Sequence, residues 1–164
     1  MPRRYRLPPG FHIVSGGQTG ADRAGLDWAI AHGIAHGGWC PQGRRAEDGP
    51  IDPRYLLRET PSCEYRQRTE WNVRDSDATA IFTFAGSLSG GSKLTAVFAD
   101  QYRKPWLHLC DHDEPHRLAD FLEYHSQRQP VLTLNIAGGR DPALGPLVVR
   151  VLDQALALPG ADAG

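Results

Sequence analysis

The sequence predicts an α/β protein in which a mainly parallel central sheet of about five strands lies between two layers of helices. Two observations support this fold class. Short apolar segments, typical of buried strands, alternate along the chain with segments that have apolar residues at helical spacing. The first apolar segment also leads through a glycine-rich turn into a helix, as expected for a parallel sheet with right-handed crossovers.

The individual elements follow from these two patterns. The segments predicted to form strands are Phe11–Val14, Gly38–Cys40, Ala78–Phe84, Trp106–Cys110 and Val131–Ile136. The segments predicted to form helices are Arg23–Ala31, Tyr65–Val73, Lys93–Tyr102, His116–His125 and Leu147–Leu158. Pro146 suits the start of the last helix, where a missing backbone N–H removes no hydrogen bond.

The length of 164 residues predicts a single domain, which we place at residues 11–158. Residues 1–10 and 159–164 are predicted to be tails. The N-terminal residues lack the apolar stretch of a signal peptide, and no apolar run reaches the length of a membrane span. These features predict a cytoplasmic protein that does not bind membranes.

Charge and cysteine content exclude several classes of protein. The formal net charge is −1, so the composition gives no support for a nucleic-acid partner. Three cysteines without a C-x-x-C spacing, Cys40, Cys63 and Cys110, argue against a disulfide framework and a zinc ribbon. A reducing compartment is therefore expected.

The turn after the first strand carries the main functional signal. It contains Gly16, Gly17, Gln18, Thr19 and Gly20 just before a predicted helix, whose N-terminal N–H groups would favour an anion. The glycine spacing is neither that of a dinucleotide fingerprint nor that of a P-loop. An alternative without a ligand is a capping box formed by Thr19 and Asp22.

Two later turns have the same character, and the carboxyl ends of parallel strands meet at one edge of a sheet. One turn contains Gly90, Gly91, Ser92, Lys93 and Thr95, and the other contains Gly138, Gly139 and Arg140. We therefore expect an anion-binding crevice, to which Arg140, Lys93 and Arg44 could add positive charge. The alternative is that these glycines only form tight turns.

Two further groups of residues leave their roles open. Tyr65, Arg68, Thr69 and Asn72 share one face of the second helix, which faces the crevice, a subunit neighbour or solvent. Four other residues lie around the end of the fourth strand, and they are His108, Cys110, His112 and His116. Their spacing gives no complete metal-ligand set, so we predict no metal site and expect scattered surface histidines.

Several motifs, taken together, make the chain resemble the molybdenum carrier family, the molybdenum-cofactor carrier proteins. These are Rossmann-like proteins of a wider group that includes the LOG (lysine-decarboxylase-like) proteins. The motifs span residues 11–157 and include Ser15–Arg23, Ala46–Ile51, Tyr65–Val73, Asp75–Thr79, Gly90–Thr95 and Leu134–Arg140.

The resemblance implies that the chain binds the molybdenum cofactor, a phosphorylated pterin carrying oxo-molybdenum, or molybdate, without catalysis. It also implies a homodimer or homotetramer, and a molybdoenzyme as recipient. The implied site residues are Gly16, Gly17, Gln18, Thr19, Gly20, Asp22, Arg68, Gly90, Gly91, Ser92, Lys93, Thr95, Asn135, Gly138 and Arg140. Ser92 stands where the family pattern has threonine, and Gly139 stands where it has proline.

Two other functions stay open. LOG-like proteins cleave the N-glycosidic bond of nucleoside 5′-monophosphates with a glutamate that follows a glycine turn. Here Ala96 and Val97 follow Thr95, so Glu47 or Asp48 would have to supply the carboxylate. The other alternative is a nucleotide-sensing module.

Overall fold

The computed structural model describes residues 3–159, which form an α/β fold with a central parallel sheet. The strands are β1 (Tyr5–Arg6), β2 (His12–Val14), β3 (Ala35–Gly37), β4 (Trp39–Cys40), β5 (Arg58–Glu59), β6 (Ala78–Phe82), β7 (Trp106–Leu109), β8 (Thr133–Gly138) and β9 (Leu156–Ala157). The helices are α1 (Ala21–Ala31), α2 (Tyr65–Arg74), α3 (Gly90–Gln101), α4 (His116–Ser126) and α5 (Gly145–Ala155). A short 3₁₀ turn, Pro142–Leu144, precedes α5.

The main sheet has five strands in the order β3-β2-β8-β6-β7, and every neighbouring pair is parallel. This confirms the predicted fold class. If β8 is counted first and the chain is then followed from β2, the order becomes 3-2-1-4-5, that of a dinucleotide-binding Rossmann sheet. The central strand of the sheet therefore comes late in the chain, and the crevice where strand order reverses lies beside it.

Helices cover both faces of this sheet. On one face α1 packs against α5, and α5 packs against α4. The large hydrophobic core lies here, and it includes Ile13, Leu122, Leu134 and Val148, each fully buried. On the other face α2 packs against α3 around Val73, Phe98 and Ala99. This arrangement is the predicted three-layer αβα architecture.

The ends of the domain differ from the prediction. Residues 5–7 are not a detached tail, because β1 pairs in parallel with β9 and the side chains of Tyr5 and Leu7 are buried. The last helix ends at Ala155 rather than Leu158, since Leu156 and Ala157 supply the partner strand. Residues 1–2 and 160–164 of the predicted tails lie outside the described residues.

The second strand also lies earlier than predicted. Ala35–Gly37 joins the main sheet as an edge strand, and Gly38 then turns the chain with φ at +129°. Trp39 and Cys40 instead pair with Arg58 and Glu59 in a separate two-stranded sheet. Among residues 3–159, no helix combines the length and apolar character that crossing a membrane requires.

Candidate ligand-binding site

A cavity of about 510 Å³ lies at the carboxyl edge of the main sheet. The turns after β2, β6 and β8 all contribute to its wall, and α2 closes one side. The prediction that three glycine-rich turns meet at one rim is therefore confirmed. The volume falls within the roughly 300–1,000 Å³ of typical small-molecule pockets.

Most of the residues predicted for the site line this cavity. They are Gly16, Gln18, Asp22, Arg68, Gly91, Ser92, Thr95, Asn135, Gly138 and Arg140. Five predicted residues do not line it, and they are Gly17, Thr19, Gly20, Gly90 and Lys93. Lys93 is exposed on α3. Gly17, Thr19 and Gly20 belong to the first turn and hold that turn in shape.

The first turn is built by contacts with the third. Gly20 precedes α1 with φ at +87°, and a Cβ there would overlap the backbone of Gly139 and Arg140. The Thr19 hydroxyl donates to the Arg140 carbonyl at 2.8 Å, and the Ala21 amide donates to the Gly139 carbonyl at 3.1 Å. No side chain caps α1, so the capping box proposed as an alternative does not form.

A buried ion pair joins α1 to α2 at the inner end of the cavity. Arg68 Nη1 lies 2.9 Å from Asp22 Oδ2, and the two side chains are only 12% and 6% exposed. The same carboxylate oxygen accepts the backbone N–H of Gln18 at 3.3 Å. Burial raises the pKa of Asp22, while the charge of Arg68 acts in the opposite direction. Gly16 leaves space for the guanidinium, which a side chain at that position would overlap.

The polar face of α2 points into the cavity, as one of the sequence alternatives predicted. Tyr65, Arg68, Thr69 and Asn72 all belong to the wall. Three guanidinium groups surround the ring of Tyr65, with the Arg45, Arg140 and Arg68 carbons 4.8, 4.8 and 5.3 Å from its centroid. The ring thus holds several cations close together by cation–π contacts.

The N-terminus of α3 forms the opposite wall. Its N-cap residue Ser89 makes no side-chain capping hydrogen bond, and its first turn contains no acid. Ser92 and Thr95 are buried beside it, and Thr95 donates to the Gly91 carbonyl at 2.9 Å. The amides of this 12-residue helix therefore present a partial positive charge to the cavity.

Sequence reasoning missed several wall residues. Ser87 and Ser89 lie in the turn before α3, Arg66 is next to the polar face of α2, and Asp141 follows Arg140. The two serines could have been identified from the same turn signal. Arg66 could not, because it lies off the Tyr65–Asn72 stripe and reaches the cavity while its guanidinium packs 5.1 Å from the Phe98 ring.

Arg44 does not add charge to the crevice, contrary to our expectation. Its guanidinium donates to the carbonyls of Ile51, Asp52, Tyr55 and Leu57, at 2.8–3.3 Å. Arg44 therefore holds together the long segment between β4 and β5, and it does not line the cavity.

The histidines and cysteines do not form a second site. Within residues 3–159, no group of three metal-ligating side chains comes together. His108 Nε2 lies 2.6 Å from the Thr83 hydroxyl, and burial lowers its pKa. Cys40 is buried, which raises the pKa of its thiol, so this cysteine is a poor nucleophile.

Comparison with known proteins agrees with this geometry. A family model described as the circularly permutated YpsA SLOG family matches residues 13–156. The chain belongs to this family. Membership of a circularly permuted family accounts for a Rossmann strand order in which the first strand, β8, comes after all the other strands of the sheet.

One solved structure is similar over most of the chain. It is the crystal structure of a protein from Syntrophus aciditrophicus SB that bears the name "Putative molybdenum carrier protein". The two sequences are 45% identical, the TM-score is 0.83, and the match covers 91% of this chain and 97% of that one. The resemblance to molybdenum carrier proteins and to LOG-like members of the SLOG family is thereby confirmed. No curated protein matches the sequence.

Proposed function

We propose that the chain binds the molybdenum cofactor, or a related phosphorylated or oxyanion-bearing ligand such as molybdate, in this cavity and carries it unchanged. The observation that supports this most strongly is an excess of positive charge at the wall. Arg66 and Arg140 line the cavity, and neither forms an ion pair within the described residues. With the amides at the start of α3, they favour a phosphate or oxyanion.

A carrier rather than an enzyme also fits the acids near the cavity. Asp22 is paired with Arg68, and the Asp141 carboxylate accepts the Ala143 amide hydrogen at 2.9 Å. Glu47 and Asp48, the two substitutes considered for a LOG-like mechanism, do not line the cavity. Each acid on the wall thus already has a structural partner, which supports a carrier over a hydrolase.

Binding and turnover assays separate the two functions. The purified chain should bind the molybdenum cofactor or molybdate in calorimetric titrations and should release no adenine from AMP. Release of adenine without binding of either molybdenum compound would reject the carrier function in favour of the LOG-like hydrolase.

A substitution of Arg140 tests the proposed binding at a single residue. Arg140→Ala should weaken binding of the anionic ligand by about 1.5–3 kcal/mol, since a hydrogen bond to a charged group is lost. Arg128→Ala is the control, because Arg128 also packs on a tyrosine ring, 3.6 Å from the Tyr124 centroid, and does not line the cavity. Equal affinities of the two variants would remove Arg140 from the site.

The proposal extends to assembly and cellular context. We propose a cytoplasmic homodimer or homotetramer that delivers its ligand to a molybdoenzyme. Sedimentation at micromolar concentration tests the assembly, and a monomer would contradict it.

A further inference from the structure

The side-chain amide of Gln18 has a fixed orientation. Its Oε1 accepts two backbone hydrogens, from Thr19 at 3.0 Å and from Glu47 at 2.8 Å. Rotating the amide by 180° would place its NH₂ group against two N–H donors, so Oε1 must face them. By contrast, the side-chain amide of Asn135 hydrogen-bonds to the Thr79 hydroxyl at 3.3 Å, and a hydroxyl can either donate or accept.

The Nε2 group of Gln18 is a donor without an acceptor among residues 3–159. Gln18 lines the cavity, its exposure is 4%, and no group in the described part of the chain accepts from its Nε2. Arg68, its neighbour on the wall, likewise has a buried Nε without a partner. A buried donor left unpaired is costly, and a ligand that accepts its hydrogen removes that cost.

The charges around Gln18 indicate which kind of acceptor belongs there. The Arg68 charge is balanced by Asp22, and the nearby Arg23 pairs with Asp48. Arg66 and Arg140, which form no ion pair within the described residues, line the cavity together with the N-terminal turn of α3. A negative group of the ligand is therefore better placed on these guanidinium groups, while the uncharged donor of Gln18 is satisfied by a neutral acceptor such as a carbonyl.

We propose that Gln18 is a specificity-determining residue that selects ligands with a carbonyl or oxo acceptor over ligands with an amino group at that position. This inference rests on the proposed binding of an anionic ligand in the cavity and adds a requirement for its uncharged end. The anionic group binds near Arg140 and α3, and the heterocycle of the ligand points its carbonyl toward Gln18.

Inosine and adenosine 5′-monophosphates test this selection, because both carry the same phosphate and ribose but have a carbonyl or an amino group on carbon 6. The wild-type chain should bind the inosine nucleotide at least about fivefold more tightly, the lower limit for leaving a buried donor unpaired. Gln18→Glu keeps an oxygen for the Thr19 and Glu47 amides and replaces the donor with an acceptor. This variant should reverse the preference. Its added negative charge weakens binding of both nucleotides, so the ratio of the two affinities cancels that effect.

Gln67→Glu is the matched control. Gln67 lies outside the cavity wall, and its Oε1 likewise accepts a backbone hydrogen, from Ser62 at 2.8 Å. The control should keep the wild-type ratio.

Two results overturn the role of Gln18, namely equal binding of both nucleotides by the wild type and an unchanged ratio in Gln18→Glu. The proposed function stays intact in either case if Arg140→Ala still weakens binding. Binding of molybdate without either nucleotide also overturns this role alone. If neither nucleotide, nor molybdate, nor the molybdenum cofactor binds, both proposals fail.

Discussion

Replacing Arg68 with methionine should strongly destabilise the fold, because Asp22 would remain buried without its countercharge. The Asp22 side chain is 6% exposed, and its carboxylate also accepts the backbone N–H of Gln18 at 3.3 Å. Breaking a buried pair by removing one partner costs about 3–5 kcal/mol. In a chain of this length each kcal/mol shifts the melting temperature by roughly 2–4 °C, so we expect a decrease of roughly 6–20 °C.

The loss should depend on pH with a definite sign. Burial already raises the pKa of Asp22 above its ordinary 3.8, and removing Arg68 removes the charge that opposes this rise. A carboxyl whose pKa is raised in the folded state contributes its full stability below the unfolded pKa, and that contribution is lost as the pH rises through the folded pKa. Arg68→Met should therefore lose more stability at pH 8 than at pH 4, relative to the wild type at each pH.

Urea denaturation followed by circular dichroism at both pH values measures the effect. The double variant Asp22→Asn with Arg68→Met should regain a large part of the stability, since no buried charge remains. The exposed pair Arg54–Asp27, at 3.1 Å with 61% and 47% exposure, is the control, and Arg54→Met should cost far less stability than Arg68→Met. A loss in Arg68→Met below about 1 kcal/mol at pH 8, or one that is equal at both pH values, would refute this reasoning.

Two further substitutions test how the cavity wall and the segment between β4 and β5 are held. Gly138 has φ at +151°, and a Cβ there would overlap the Phe82 carbonyl oxygen, so Gly138→Ala should cost at least about 1–3 kcal/mol of unfolding free energy. Gly86→Ala, where a Cβ meets nothing within 4 Å, should leave the thermal melt nearly unchanged. Arg44→Lys replaces four carbonyl contacts with one flexible ammonium, so the segment between β4 and β5 should be cleaved faster in limited proteolysis. Wild-type rates of cleavage in Arg44→Lys would show that this segment does not depend on the guanidinium.

The elements with strong periodicity could be predicted from the sequence, and those that depend on tertiary pairing could not. The helical spacing predicts α2 over Tyr65–Val73, and the helix ends one residue later, at Arg74. β3 was missed because an edge strand is only partly buried, so Ala35, His36 and Gly37 need no apolar pattern. The adjacent Trp39 and Cys40 have that pattern but pair in a different sheet.

The N-terminal strand shows the same limit at the end of the domain. Prolines 8 and 9 suggested a tail, yet they only end the strand, which needs no more than two residues to pair with β9. The partner strand, Leu156 and Ala157, lies between Ala155 and Leu158, which both fall on the predicted apolar stripe of the last helix, so the local pattern extends that helix to Leu158. Only the spatial proximity of the two ends decides between helix and strand.

The site could be predicted to the level of its turns. A rule about the carboxyl edge of parallel sheets brought together Gly16, Gly91 and Gly138 without knowledge of the strand order. The rule does not tell which charged side chains are free. Arg44 bonds to backbone carbonyls and Lys93 points away, whereas Arg66 reaches the cavity unpredicted. These differences depend on side-chain packing, which cannot be predicted from a residue's type and its position along the chain.

The late position of β8 has a consequence for synthesis of the protein. While the ribosome is still translating the segment before residue 133, β2 and β6 have no strand between them. The emerging chain then carries two unpaired strand edges with fully buried residues such as Ile13 and Ala80, which are prone to pair with other chains. A nascent chain halted before β8 lacks Asn135, Gly138 and Arg140 of the cavity wall and exposes both strand edges, so it is an expected client of chaperones.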